Sequence, residues 1–272
     1  MRKKRCVRYF AGVLVCLGLL FGLCGCGSGS ALSSSWRIVR LKEAVKTVTV
    51  PLSYDAAEGL TLAVDMRFTD GGKNPVTVLA PDAEEAPYAV LCYPADLEDY
   101  GFAAEAEGNV LRISAADKYQ FSTDAFSVTV YADVSAYRLT GSIALQADAG
   151  GIAQQQLSLS VAGGADCDLT GIAAEAVVLA VSGAVDITLA GTAQKLDAEI
   201  KGAGALDAAE LSAQHAAVAI YGAGAAEVMC AQTLDAEING AGSIVYRGNP
   251  TVTKKINGAG AVQAAADSEN KS

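Results

Sequence analysis

The chain has 272 residues, with 20 basic and 30 acidic side chains and a formal net charge of −10 at pH 7. Such an acidic balance makes it a poor partner for nucleic acid or for anionic lipid headgroups. Apolar residues make up 51% but aromatics only 6%, so its core must consist of small, regular layers rather than large interlocking rings.

The chain opens with "MRKKRCVRYFAGVLVCLGLLFGLCGCGSGS". Arg2, Lys3, Lys4, Arg5 and Arg8 precede an apolar run from Tyr9 to Leu23. This is the plan of a secretory signal, too short for a comfortable membrane span. The run ends in Leu-Cys-Gly-Cys, residues 23–26, which resembles the bacterial lipobox. The resemblance implies cleavage after residue 25 and a diacylglycerol thioether on Cys26, which would anchor the protein on the outer side of a bacterial membrane. Cys24 is a poorer acceptor, because bulky Leu23 would stand at its cleavage point. An uncleaved N-terminal helix is the alternative, but "GSGSALSSS" comes at once after the run and reads as a flexible tether. The expected plan is therefore a signal peptide over 1–25, a lipidated cysteine and tether over 26–40, a β domain over 41–265 and a disordered tail over 266–272. Residues 1–25 hold five basic and no acidic residues, so the remainder has 15 basic and 30 acidic residues and a net charge of −15. Beyond Cys26 stand Cys92, Cys167 and Cys230. An odd number at wide spacing, without a CxxC pair, reads as buried free thiols.

Further along, "GLTLAVDMRF" (59–68) alternates, with Leu60, Leu62, Val64, Met66 and Phe68 on one face. "NVLRISA" (109–115) and "FSVTVYA" (126–132) also read as strands. "TDGGKNP" (69–75) is a turn and "PDAEEAP" (81–87) an acidic loop. These irregular strands are expected to form the first turns and the cap of a more regular C-terminal part.

From residue 157 the chain repeats. A β-branched residue with glycine two places later recurs at Val161, Val181, Ile200, Ile220, Ile238 and Ile256. The matching glycines are Gly163, Gly183, Gly202, Gly222, Gly240 and Gly258, at steps of 18–20 residues. Apolar residues fill every second place before each anchor, which is strand periodicity. A period near 19 is too short for a strand plus a helix. It fits one turn of a parallel β-helix, with turns stacked about 4.8 Å apart. The predicted fold is thus all-β: a solenoid of 18–20 residues per turn, regular over 157–262, behind an irregular N-terminal β cap. Glycine at each corner answers a need for positive φ or for close backbone approach. The two copies of "LDAEI" lie two turns apart with "AAVAI" between them. Ala217 and Ala219 would therefore separate Asp197 from Asp235 and Glu199 from Glu237, which avoids like charges on neighbouring strands. Asn239 and Asn257 should form an amide ladder.

Chemistry-bearing constellations are few. His215 is the only histidine, and no GxSxG stands near it; a surface position is expected. The glycines lack the Lys-Ser or Lys-Thr of a phosphate loop. Cys167 falls in an inward column. Asp166, Asp168 and Asp186 lie on outward places, with Asp207 and Glu227 expected next in the column. They have two readings: an acidic face screened by salt, or weak calcium coordination by carboxylate oxygens. No other cofactor is implied.

The repeated "GAG" turns, with Tyr246, Gly248 and Pro250 as a "YxGxP" near the end, resemble the bacterial head GIN domain, an autotransporter-adhesin-like domain of unknown function. The resemblance is strong over residues 157–262. It implies a β-helical domain on secreted or surface-anchored proteins. The leading expectation is a non-enzymatic, lipid-anchored scaffold in the cell envelope. Its partners would be the membrane, through the N-terminal lipid, and a cell-wall, glycan or protein ligand. A carbohydrate-active enzyme on the same fold and an envelope stress or signalling accessory are the alternatives.

Overall fold

The computed structural model describes residues 37–42, 44–69, 75–81, 85–151 and 153–265. Cys26, the expected signal segment and the expected tail from 266 lie outside them. The chain is a β-solenoid of about six turns behind an N-terminal sheet region. Each turn contributes two principal segments. The first contains the repeat anchors and runs through 196–202, 216–222, 234–240 and 252–258. The second comes after the corner, through 205–208, 225–228, 243–247 and 261–264. Both stack in parallel register: Ile200 on Ile220, Ile238 and Ile256 along one wall, and Leu206 on Ala226, Ile244 and Val262 along the other.

The alternation seen in the sequence is the alternation of burial. Leu196, Ala198 and Ile200 point inward at 0–1% exposure, and their counterparts in the neighbouring turns are equally buried. Cys167, Ile187, Leu206, Ala226 and Ile244 fill the second inward column. Small side chains suffice because opposite walls of so narrow a coil are close together. Turns of unequal length coexist with this register because the extra residues are absorbed away from the two walls. Pairing slips between Thr188 and Ala190 and between Ala208 and Ser212, so a shorter turn loses residues there and leaves the anchors aligned.

The regular columns begin one turn earlier than the repeat pattern indicated. The strand Val134–Asp148 pairs with the next turn, Leu139 against Val161 and Gly141 against Gly163. Gly141 is therefore a seventh corner glycine.

Beneath that turn lie Leu60–Met66 and Pro75–Leu79, both parallel to Val134–Asp148. Val110–Ser114 extends the first wall and Ser127–Tyr131 the second. Ala103–Glu107, Tyr88–Pro94 and Val45–Pro51 then add antiparallel strands. Most aromatic packing gathers in this end: Phe68, Phe121 and Phe126 form one cluster, with Phe102 and Tyr100 beside it. Beyond residue 137 the only aromatic side chains are Tyr221 and Tyr246. Arg37–Arg40, expected in the tether, instead pairs with Tyr119–Ser122 as a separate two-stranded sheet; the apolar Ile38 and Val39 stand between arginines there and favour extended pairing over coil.

Candidate functional site: an outer-face trough

The six predicted corner glycines share one geometry, with φ between 125° and 142°. At Gly222 both reasons for glycine apply. Its φ of 139° is a left-handed value, and a Cβ there would stand 2.4 Å from the Gly202 carbonyl oxygen. The alanine after each of the last four corners uses the same neighbour: the Ala203, Ala223, Ala241 and Ala259 amides donate to the Gly183, Gly202, Gly222 and Gly240 carbonyls. These residues build the coil and offer no side chain to a ligand. Tyr246, Gly248 and Pro250 close the last full turn. Tyr246 is partly buried against the core, and a Cβ on Gly248 (φ 89°) would meet the Cys230 carbonyl oxygen at 2.3 Å.

The acidic constellation is arranged differently from the expectation. Register is set by the corner glycines, and Asp186 stands three places past Gly183 whereas Asp207 stands five places past Gly202. Asp186 therefore faces Ala205, while Asp207 faces Thr188 and then Glu227. Asp207 and Glu227 belong to the column of Asp168, not to that of Asp166 and Asp186. Glu227 is neutralised by Arg247 at 2.6 Å. Among the described residues no three acidic, histidine or cysteine side chains converge to hold a metal. The structure thus gives the calcium reading of Asp166, Asp168 and Asp186 no three-ligand cluster among the described residues. The physical reason is that outward side chains on a flat wall stand parallel, spaced about 4.8 Å between turns and about 6.6 Å along a strand.

Among the described residues no catalytic constellation forms around the histidine either. His215 is exposed and hydrogen-bonds Thr233 Oγ1 at 2.8 Å. Cys230 is buried, and its thiol donates to the Thr233 carbonyl at 2.9 Å. Burial pushes the Cys167 thiol up to about 12, with Asp166 adding to it, so it is an inert core group.

What stacking does create lies on the outer face of the first wall. Outward places are Asp197, Glu199 and Lys201 on one turn, then Ala217, Ala219 and Tyr221, then Asp235, Glu237 and Asn239, then Thr253, Lys255 and Asn257. The expected alanine spacing between the two acidic pairs is present. Its consequence is visible only in three dimensions: the two alanines leave a trough of about 410 Å³, floored by methyl groups and walled by carboxylates. Three carboxylates carry their own lysine: Asp197 pairs with Lys195 at 3.2 Å, Glu237 with Lys255 at 2.8 Å, and Glu199 with Lys201. Asp235 has no ion-pair partner among the described residues. Lys255, and then Asn239, hold the Glu237 carboxyl below its usual range. Asn257 donates to Asn239 at 2.8 Å, the first rung of the predicted ladder. Tyr221 closes one end, 38% exposed, with the Lys201 ammonium 5.9 Å from its ring centre.

A family model described as "Putative auto-transporter adhesin, head GIN domain" matches residues 99–250. The chain belongs to the head GIN domain family. Its fold is shared by solved structures of low sequence identity. One, from Bacteroides fragilis and described as a putative adhesin, is 16% identical with a TM-score of 0.67, covering 84% of this chain and 100% of that one. Another, from Parabacteroides distasonis and described as a putative lipid binding protein, is 20% identical with a TM-score of 0.57, covering 85% and 100%. A third, a putative adhesin from Parabacteroides merdae, is 17% identical with a TM-score of 0.53, covering 84% and 99%. No curated protein matches the chain in sequence.

Proposed function

We propose that this GIN-domain protein is a non-enzymatic, adhesin-like binding scaffold, held on the outer side of a bacterial membrane by a lipid on Cys26. The observation that carries the binding reading is the outer wall of the coil. Four stacked turns fix twelve outward side chains in a rigid array, so a ligand meets a pre-organised surface and little ordering entropy is lost on contact. Glu237 is poorly suited to act as a general acid. A general acid needs a carboxyl raised towards neutrality, whereas the Glu237 carboxyl is shifted the other way by Lys255.

Two measurements test the reading. The purified full chain, immobilised, should retain cell-wall material, arrayed glycans or extracellular proteins without turning them over. Failure to retain any of them removes the binding function. Cys26→Ala should release the protein from the membrane fraction or leave an unprocessed precursor. Unchanged detergent partitioning and unchanged mobility would remove the anchor.

A further inference from the structure

We infer that the trough over Ala217 and Ala219 is a saccharide-binding subsite, which takes a short pyranose chain lying along the outer wall. This rests on the binding-scaffold reading above and names its ligand class. The shape comes first. The wall backbones stand two turns apart, about 9.6 Å at the spacing of parallel strands. The cavity of about 410 Å³ falls at the lower end of the range for small-molecule sites, about 300–1,000 Å³. Its floor is two methyl groups, against which the C–H face of a sugar ring can lie.

The charges then select among ligand classes. A polyanion would meet four carboxylates. A polyamine would find Asp235 open, but for any second contact it would have to displace a lysine already paired with Asp197, Glu199 or Glu237. A peptide cannot add as a strand, because the backbone beneath the trough is already paired with the turns on either side. A neutral polyol suits all of these. Each lysine–carboxylate pair presents an acceptor and a donor side by side, matched to the two roles of a hydroxyl or of adjacent hydroxyls. Asp235 adds an acceptor with no cation of its own. Tyr221 adds an independent observation. The stretch beyond residue 137 contains just two aromatic residues; Tyr246 packs on the core, while Tyr221 stands exposed at the mouth of the trough. An aromatic ring at the end of a polar channel is a platform for the apolar face of a sugar.

The test uses the full chain on an array of microbial and host glycans, then calorimetry with the best soluble oligosaccharide. Binding should fall at least tenfold in Tyr221→Ser and in Ala219→Leu, which fills the floor. It should persist in Ala225→Gln on the other wall, and all three variants should melt close to the parent. Spermine should not compete. Absence of any array signal, or binding that survives both trough substitutions in folded protein, overturns the inference. Retention of cell-wall material by those same variants would then show that the scaffold reading stands through another face.

Discussion

At the scale of single residues, the corner glycines and the columns beside them respond very differently to added bulk. Gly222→Val or Gly240→Val places a branched side chain at positive φ against a carbonyl oxygen of the preceding turn, 2.4 and 2.2 Å from the new Cβ. Backbone strain alone should cost about 1–3 kcal/mol, and the clash adds to it. Ala217→Val, on an outward strand place, should be nearly neutral. Equal melting temperatures for the two classes would mean that the corner imposes no constraint. Cys167 gives a second test. Its thiol, raised from 9 to about 12 by burial and then by Asp166, keeps its proton in the folded state where the unfolded chain would lose it. The stability from this group is complete below pH 9 and is lost as the pH rises towards 12. Stability should therefore fall above pH 9, more steeply in the parent than in Cys167→Ala. At pH 8, alkylation mapped by mass spectrometry should label half-buried Cys92 well before Cys167 or Cys230; equal labelling of all three would contradict the inward column.

At the scale of the element, the last strand of the first wall decides how the coil ends. Thr251–Gly258 pairs with the turn before it, and among the described residues its other edge has no partner strand. An unpaired edge over an apolar core invites a second copy. Ile256 belongs to the inward column but is 40% exposed at this end. Lys254 occupies the neighbouring inward place, above Ala236, and its ammonium donates to the Val262 carbonyl at 2.9 Å. A charge pointing inward at the open end makes pairing with a second end costly, because the ammonium would be buried without a counter-ion. Lys254→Val should therefore produce concentration-dependent dimers in sedimentation velocity, and Ile256→Asp added to it should restore the parent's behaviour. A Lys254→Val protein whose sedimentation matches the parent's at all concentrations would remove the guarding role.

At the scale of the whole molecule, the coil behaves as a ladder of layers on a fixed cap. The aromatic cluster around Phe68, Phe121 and Phe126 anchors the N-terminal end, and alanine-rich turns propagate from it. Outward side chains stand parallel because they ride on a stiff, nearly flat wall, so even neighbours such as Asp207 and Glu227 do not converge with a third acid among the described residues. Millimolar calcium should accordingly leave the melting temperature unchanged, since no three ligands converge among the described residues and a ligand stabilises only by binding the folded state. A concentration-dependent rise abolished by Asp186→Asn would reinstate a cation site on that wall.

The solenoid was legible in the sequence because each turn solves the same local problem. Strand alternation and a glycine two places past each anchor recur at 161–163, 181–183, 200–202, 220–222, 238–240 and 256–258, and both arise from contacts within one turn or to the next. The earlier corner at Gly141 escaped that pattern because its anchor is Leu139, which is not β-branched, and its step to Gly163 is longer than any later one. What stacking decided is which columns meet. Asp207, five places past its corner, comes to lie beside Thr188 and not beside Asp186, which stands three places past its own. The antiparallel strands of the cap pair across separations that no local period encodes. The trough joins residues from four turns, and Tyr221 reads as one more outward residue until Ala217 and Ala219 open the space beside it. Local periodicity determines the shape of a turn, but the surface a ligand would meet exists only once successive turns, distant along the chain, lie side by side.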